Sequence, residues 1–162
     1  MASGVNKVRR EHIDIWANPD DITTDVRDRL WFFISRDVDM IMDKFYARIN
    51  KSNLSYLLNG VDLERLKEKQ KSHWRRLILY RMDENYDLRL KNMHAYHVKV
   101  GLHHGHYISG YFMFMNLFQK SILKRVAGPK QAYEMIVALQ SIISEDITRA
   151  LGVNNYTAED TA

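Results

Sequence analysis

An all-α domain is predicted for this 162-residue chain on three observations. From about residue 20 onward, apolar side chains recur at spacings of three and four, which gathers them on one face of a helix. Strand signals, meaning period-two alternation bounded by turn dipeptides, are absent. The only prolines, Pro19 and Pro129, stand where a helix can begin, Pro129 directly after Gly128.

The elements follow in order. Ile22, Val26, Leu30, Phe33, Ile34, Val38, Ile41, Phe45 and Ile49 form one apolar stripe across residues 21–50. Ser52-Asn53-Leu54-Ser55 and Asn59-Gly60 break it. Beyond them Leu63, Leu66, Gln70, Trp74 and Leu77 mark another amphipathic helix, on which Gln70 is the polar member. Asp83 can cap a helix that runs through Tyr86, Leu90 and His97 toward Gly101, where glycine lets a helix stop. The next spans about Gly105 to Val126. Its run Tyr111-Phe112-Met113-Phe114-Met115 is apolar at successive positions about 100° apart, so that helix must be covered on every side. The last helix carries Met135, Ile136, Leu139, Ile142, Ile143, Ile147 and Leu151 and is expected to stop at Gly152. Residues 1–153 are read as one domain, and the polar stretch 154–162 as a frayed tail or a linker.

Composition narrows the function classes. An apolar share of 46% with 27% charged residues of both signs describes a folded globule rather than a disordered chain. The net charge is +4, but Lys and Arg are interleaved with Asp and Glu, and Lys7-Val8-Arg9-Arg10 is only a weak basic cluster. No nucleic-acid partner is therefore expected. The absence of cysteine excludes disulfides and thiolate metal sites. No apolar run approaches the roughly 18 residues of a membrane span, and MASGVNKVRR lacks a signal-peptide core. A cytoplasmic protein without membrane contact is expected.

The stretch MHAYHVKVGLHHGHYISGY, residues 93–111, holds five of the seven histidines. Helical geometry separates them. His94 and His97 share a face, whereas Gly101 and Gly105 interrupt any helix that would align His103, His104 or His106 with them. Spacings such as HExxH are missing too, so a chelating tract is not indicated, and the three later histidines read as surface residues. His97, flanked by Tyr96, Val98, Val100 and Leu102, reads either as a satisfied core histidine or as a ligand.

HVKVGLHHGHYISGY resembles the His-x-Arg-Ile-Gly-Leu stretch and following Tyr-containing helix start of the globin-coupled sensors, a bacterial family of haem-binding signalling domains. DKFYARI and LKEKQKSHWRRL precede it in the family's order, and the similarity covers about residues 20–152. The resemblance implies a globin fold with an N-terminal extension helix and a dimer interface built from the final two helices. It implies haem b, with His97 as the proximal iron ligand through a neutral imidazole nitrogen. Tyr46 matches a distal tyrosine that donates to the bound gas, with an ordinary core tyrosine as the alternative. Leu66 would limit water access and Gln70 could supply a second donor, or either could simply pack. Leu102 of the Gly-Leu pair and Tyr107, ten positions after His97, complete the cofactor contacts; Tyr107 would bind backbone near His97 and report ligand state, or else wedge into the core.

The sequence also departs from the family. Members commonly carry proline after Gly-Leu where this chain has His103-His104-Gly105, which predicts a looser bend. His73, on the distal helix, is a candidate sixth iron ligand. The expected function is a gas sensor for oxygen, with carbon monoxide and nitric oxide as further ligands, acting as a homodimer. Family members usually attach a methyl-accepting segment, a histidine kinase or a diguanylate cyclase, so no enzyme activity is expected from this domain by itself. The alternatives are an oxygen-binding globin without a signalling role and a haem-free helical interaction module.

Overall fold

The computed structural model describes residues 18–159, and the side chains of residues 18–152. The N-terminal extension, with its Lys7–Arg10 cluster, lies outside the described residues. Within them the chain forms helices and no strand: α1 (Thr24–Ser35), α2 (Val38–Asn50), α3 (Leu63–Leu79), α4 (Glu84–Lys99), α5 (His104–Arg125) and α6 (Pro129–Glu159). Short 3-10 turns at Pro19–Asp21 and Ser55–Leu58 stand before α1 and α3. No helix among the described residues is long and apolar enough to cross a membrane.

Local chemistry sets these boundaries. Thr23, Asp62 and Asp83 cap α1, α3 and α4, their side-chain oxygens accepting from the backbone N–H groups of Val26, Arg65 and Tyr86. The apolar stripe of residues 21–50 is divided between two helices by Arg36 and Asp37. There the buried Asp37 carboxylate accepts from Arg125 Nε at 2.7 Å, Arg125 Nη2 at 2.6 Å and Ser121 Oγ at 2.6 Å. Arg125 foremost holds that carboxyl well below the usual carboxylate range. At the other end of α1, buried Arg27 donates to the Ile78 carbonyl at 2.9 Å and the Pro19 carbonyl at 2.8 Å, satisfying the C-terminal carbonyls of α3.

The core is a continuous apolar cluster in which Leu30, Ile34, Ile41, Ile78, Phe118 and Ile142 are fully enclosed. α5 packs along α6, and α1 lies across α3, α5 and α6. α4 meets this body chiefly through α6, which leaves a gap between α4 and α3.

Two expectations are corrected. α6 does not stop at Gly152 but continues to Glu159, because Gly152 keeps a negative φ and nothing in the following residues breaks the ladder. Within one copy of the chain Tyr111 and Phe114 of α5 are buried, while Phe112 remains 51% exposed. The bend after Leu102 is not loose. Gly101, at φ 75°, sends its N–H to the Val98 carbonyl at 3.0 Å, and Leu102 sends its own to the His97 carbonyl at 2.9 Å. This is a Schellman turn, and His103 then caps α5 by accepting from the Gly105 N–H at 3.1 Å.

Candidate functional site

The gap between α3 and α4 is a cavity of about 320 Å³, within the usual range for small-molecule sites. α2, α3, α4 and α5 wall it, together with the Ser52–Val61 connection. Stacked rings build one side: Phe45 lies on Phe114 at 4.0 Å, and Trp74 tilts against Phe114 at 5.0 Å. No carboxylate lines the wall, and Arg48 is its only permanently charged residue. Tyr46, Leu66, Gln70, His97, Leu102 and Tyr107 all line this one cavity.

His97 sits in the last turn of α4, and the Schellman turn holds its carbonyl directly. Its Nδ1 is buried and has no hydrogen-bond partner, so it is not the satisfied core histidine that the sequence left open. Burial, with His94 adding to it, pushes its pKa down to about 4, so the imidazole is neutral near pH 7 with a lone pair to give. The Tyr107 ring stands 5.1 Å from it.

Across the cavity, Tyr46 is buried at one twentieth exposure. Burial raises its hydroxyl pKa, with the nearby Gln70 side chain acting in the opposite direction, so the phenol keeps its proton. Gln70 and Leu66 are half-buried on α3, one turn apart, facing the same space. The site thus sets a neutral imidazole on one wall against a protonated phenol and an amide on the other.

The remaining histidines divide as follows. His94 does not line the cavity; His106 does, at an exposed position. His104 is exposed, and His103 is occupied as the cap of α5. His73 lines the cavity, but its Nε2 lies 3.8 Å from Oδ2 of Asp146. Trp74, expected as core, is both buried and part of the wall.

Sequence reasoning missed the polar centre behind this wall. Asp146 of α6 is fully buried, and the hydroxyls of Tyr86 from α4 and Tyr111 from α5 donate to its two oxygens. The Tyr107 and Tyr111 hydroxyls lie 3.0 Å apart, which extends the chain of hydroxyls to the cavity. Burial alone would raise the Asp146 carboxyl; His73 and the two tyrosines more than offset it and hold it lowered. The available signal was phase, since Asp146 falls seven residues after Leu139 and four after Ile142, on the apolar face of α6.

A family model described as Protoglobin matches residues 23–158. The chain belongs to the protoglobin family. Its fold is shared by the globin domain of a Geobacter sulfurreducens globin-coupled sensor, at a TM-score of 0.73 and 16% identity over 87% of this chain and 91% of that one. No curated protein matches the sequence. Protoglobin membership implies haem as the cofactor, and the residues present fit it: a largely apolar, aromatic-lined cleft with the neutral imidazole of His97 among its lining residues.

Proposed function

We propose that this protoglobin domain is a haem-based gas sensor, and the observation that carries the proposal is the neutral imidazole of His97 lining the same cavity as Tyr46 and Gln70. Haem, when bound, supplies an iron that takes a diatomic gas reversibly. His97 is the residue to hold it, since a neutral imidazole nitrogen is a good donor to iron. The chain contains no cysteine, so no thioether can attach the group covalently, which favours haem b.

Tyr46 then selects among gases. Its protonated hydroxyl donates to a ligand that carries partial negative charge, which favours oxygen over carbon monoxide. Gln70 adds a second donor beside it, while Leu66 and Leu102 keep the slot apolar and exclude water. Tyr107 contacts the His97 ring on one side and the Tyr111–Asp146 hydroxyl chain on the other, so it can carry a change at His97 to α6. A sensor requires contacts that differ between its two states, and the Tyr46 hydrogen bond is one that only the liganded state has. The exposed Phe112 and Leu123 of α5 support a homodimer as the signalling form.

The test is optical. Purified protein reconstituted with haemin should show a Soret band that shifts on reduction and again with carbon monoxide. His97→Ala should lose haem at least ten times faster on transfer to an acceptor globin, whereas His94→Ala should retain it. Protein that takes up no haemin would leave the haem-free interaction module as the reading.

A further inference from the structure

Asp146 poses a problem that the gas-binding reading does not use. A fully buried carboxylate needs both hydrogen bonds and a cationic or strongly polarised partner. Tyr86 and Tyr111 supply the hydrogen bonds, but both are neutral. The Arg149 guanidinium, over the Tyr86 ring at 5.6 Å, is occupied by Glu145 at 2.7 Å and Asp87 at 3.3 Å. The remaining candidate is His73, whose Nε2 is directed at Asp146 Oδ2 from 3.8 Å while its ring forms part of the cavity wall. His73 stands on α3 one turn beyond Gln70, the same helix that carries the gas-side residues.

We propose that Asp146 is a positioning residue that holds the His73 imidazole against α6, and that this restraint keeps the gas-binding side of the cavity free of an internal ligand. The inference rests on the haem reading for its consequence and on the His73–Asp146 geometry for its cause. With the charge at 146 removed, the His73 ring loses its carboxylate partner on α6. Rotation about its two side-chain torsions then turns a nitrogen lone pair into the cavity, where the iron would accept it as a sixth donor in place of gas. The sensor therefore carries a latent self-blocked state, selected by one carboxylate on a different helix from the histidine it restrains.

The experiment compares haem-loaded wild type, Asp146→Asn, and Asp146→Asn combined with His73→Phe, by absorption and electron paramagnetic resonance. Wild type should be five-coordinate when ferrous. Asp146→Asn, which keeps a side chain able to accept from a tyrosine, should give split visible bands of a six-coordinate low-spin iron and bind carbon monoxide at least tenfold more slowly. The double variant should return to the wild-type spectrum and rate. An unchanged spectrum in Asp146→Asn with intact helical circular dichroism would overturn the inference. So would a low-spin spectrum that survives loss of His73, which would assign the ligand to another side chain such as His106.

A second measurement needs no haem and no variant. Nuclear Overhauser contacts between the His73 ring and the Asp146 β-protons should be present in haem-free wild type, and their absence refutes the restraint even if every variant fails to fold. Wild type that shows these contacts but never takes up haemin would sink the haem reading and leave the His73–Asp146 restraint standing.

Discussion

A tyrosine hydroxyl sealed in an apolar wall has one proton to give and few places to give it. Tyr46 is in that position, with the Gln70 side chain near its hydroxyl. A hydrogen bond to a partly charged acceptor contributes about 1.5–3 kcal/mol, which is roughly 10- to 150-fold in a rate. Tyr46→Phe should therefore speed oxygen dissociation by about that factor in stopped-flow measurements, and should change carbon monoxide dissociation far less. An equal effect on both gases would mean that the ring's bulk matters rather than its hydroxyl. The place of His97 and Tyr46 on one cavity was legible because each stands in a short motif whose spacing recurs in a family; by residue chemistry alone His97 could have been a satisfied core histidine. Asp146 was not legible, because an acidic residue on an apolar phase gives no hint of the hydroxyls that reach it from Tyr86 and Tyr111, 60 and 35 residues away.

The helix end at Gly101 explains why the histidine motif has the spacing it has. In a Schellman turn the glycine is the residue in left-handed conformation, and the N–H one place after it returns to the carbonyl four places before the glycine. That carbonyl belongs to His97, and the returning N–H belongs to Leu102. Histidine, glycine and leucine are thus three parts of one turn, which fixes the backbone under the imidazole. Gly101→Ala places a β-carbon on a residue at φ 75° and should cost about 1 kcal/mol of stability, read as a lowered midpoint in urea. It should also hasten haem loss, whereas Gly152→Ala, in a continuous helix, should stabilise or leave both unchanged. Helix starts at Thr23, Asp62 and Asp83 follow directly from side-chain chemistry. The split of the 21–50 stripe does not, because it is decided by Asp37 finding Arg125 and Ser121 more than 80 residues later.

Taken whole, the described residues form helices and no strand, as the periodicity required, but the apolar surface of α5 is not fully covered within one copy. Phe112 and Leu123 lie eleven residues apart, close to three full helical turns, so they share a face, and they are 51% and 61% exposed. Phe112→Glu with Leu123→Glu should convert a dimer to a monomer in light scattering at micromolar concentration, with haem content per chain unchanged. A wild-type protein that is already monomeric there would refute the dimer. Periodicity could show that α5 is apolar on every side, but not whether its own chain or a second copy covers it. α6 has its own bearing on what the domain can transmit. The fourteen residues from Asp146 to Glu159 form an unbroken rod of about 20 Å. A tilt of about 5° at the carboxylate would therefore displace the far end by about 1.7 Å, so a rearrangement confined to two tyrosine hydroxyls and one imidazole becomes leverage.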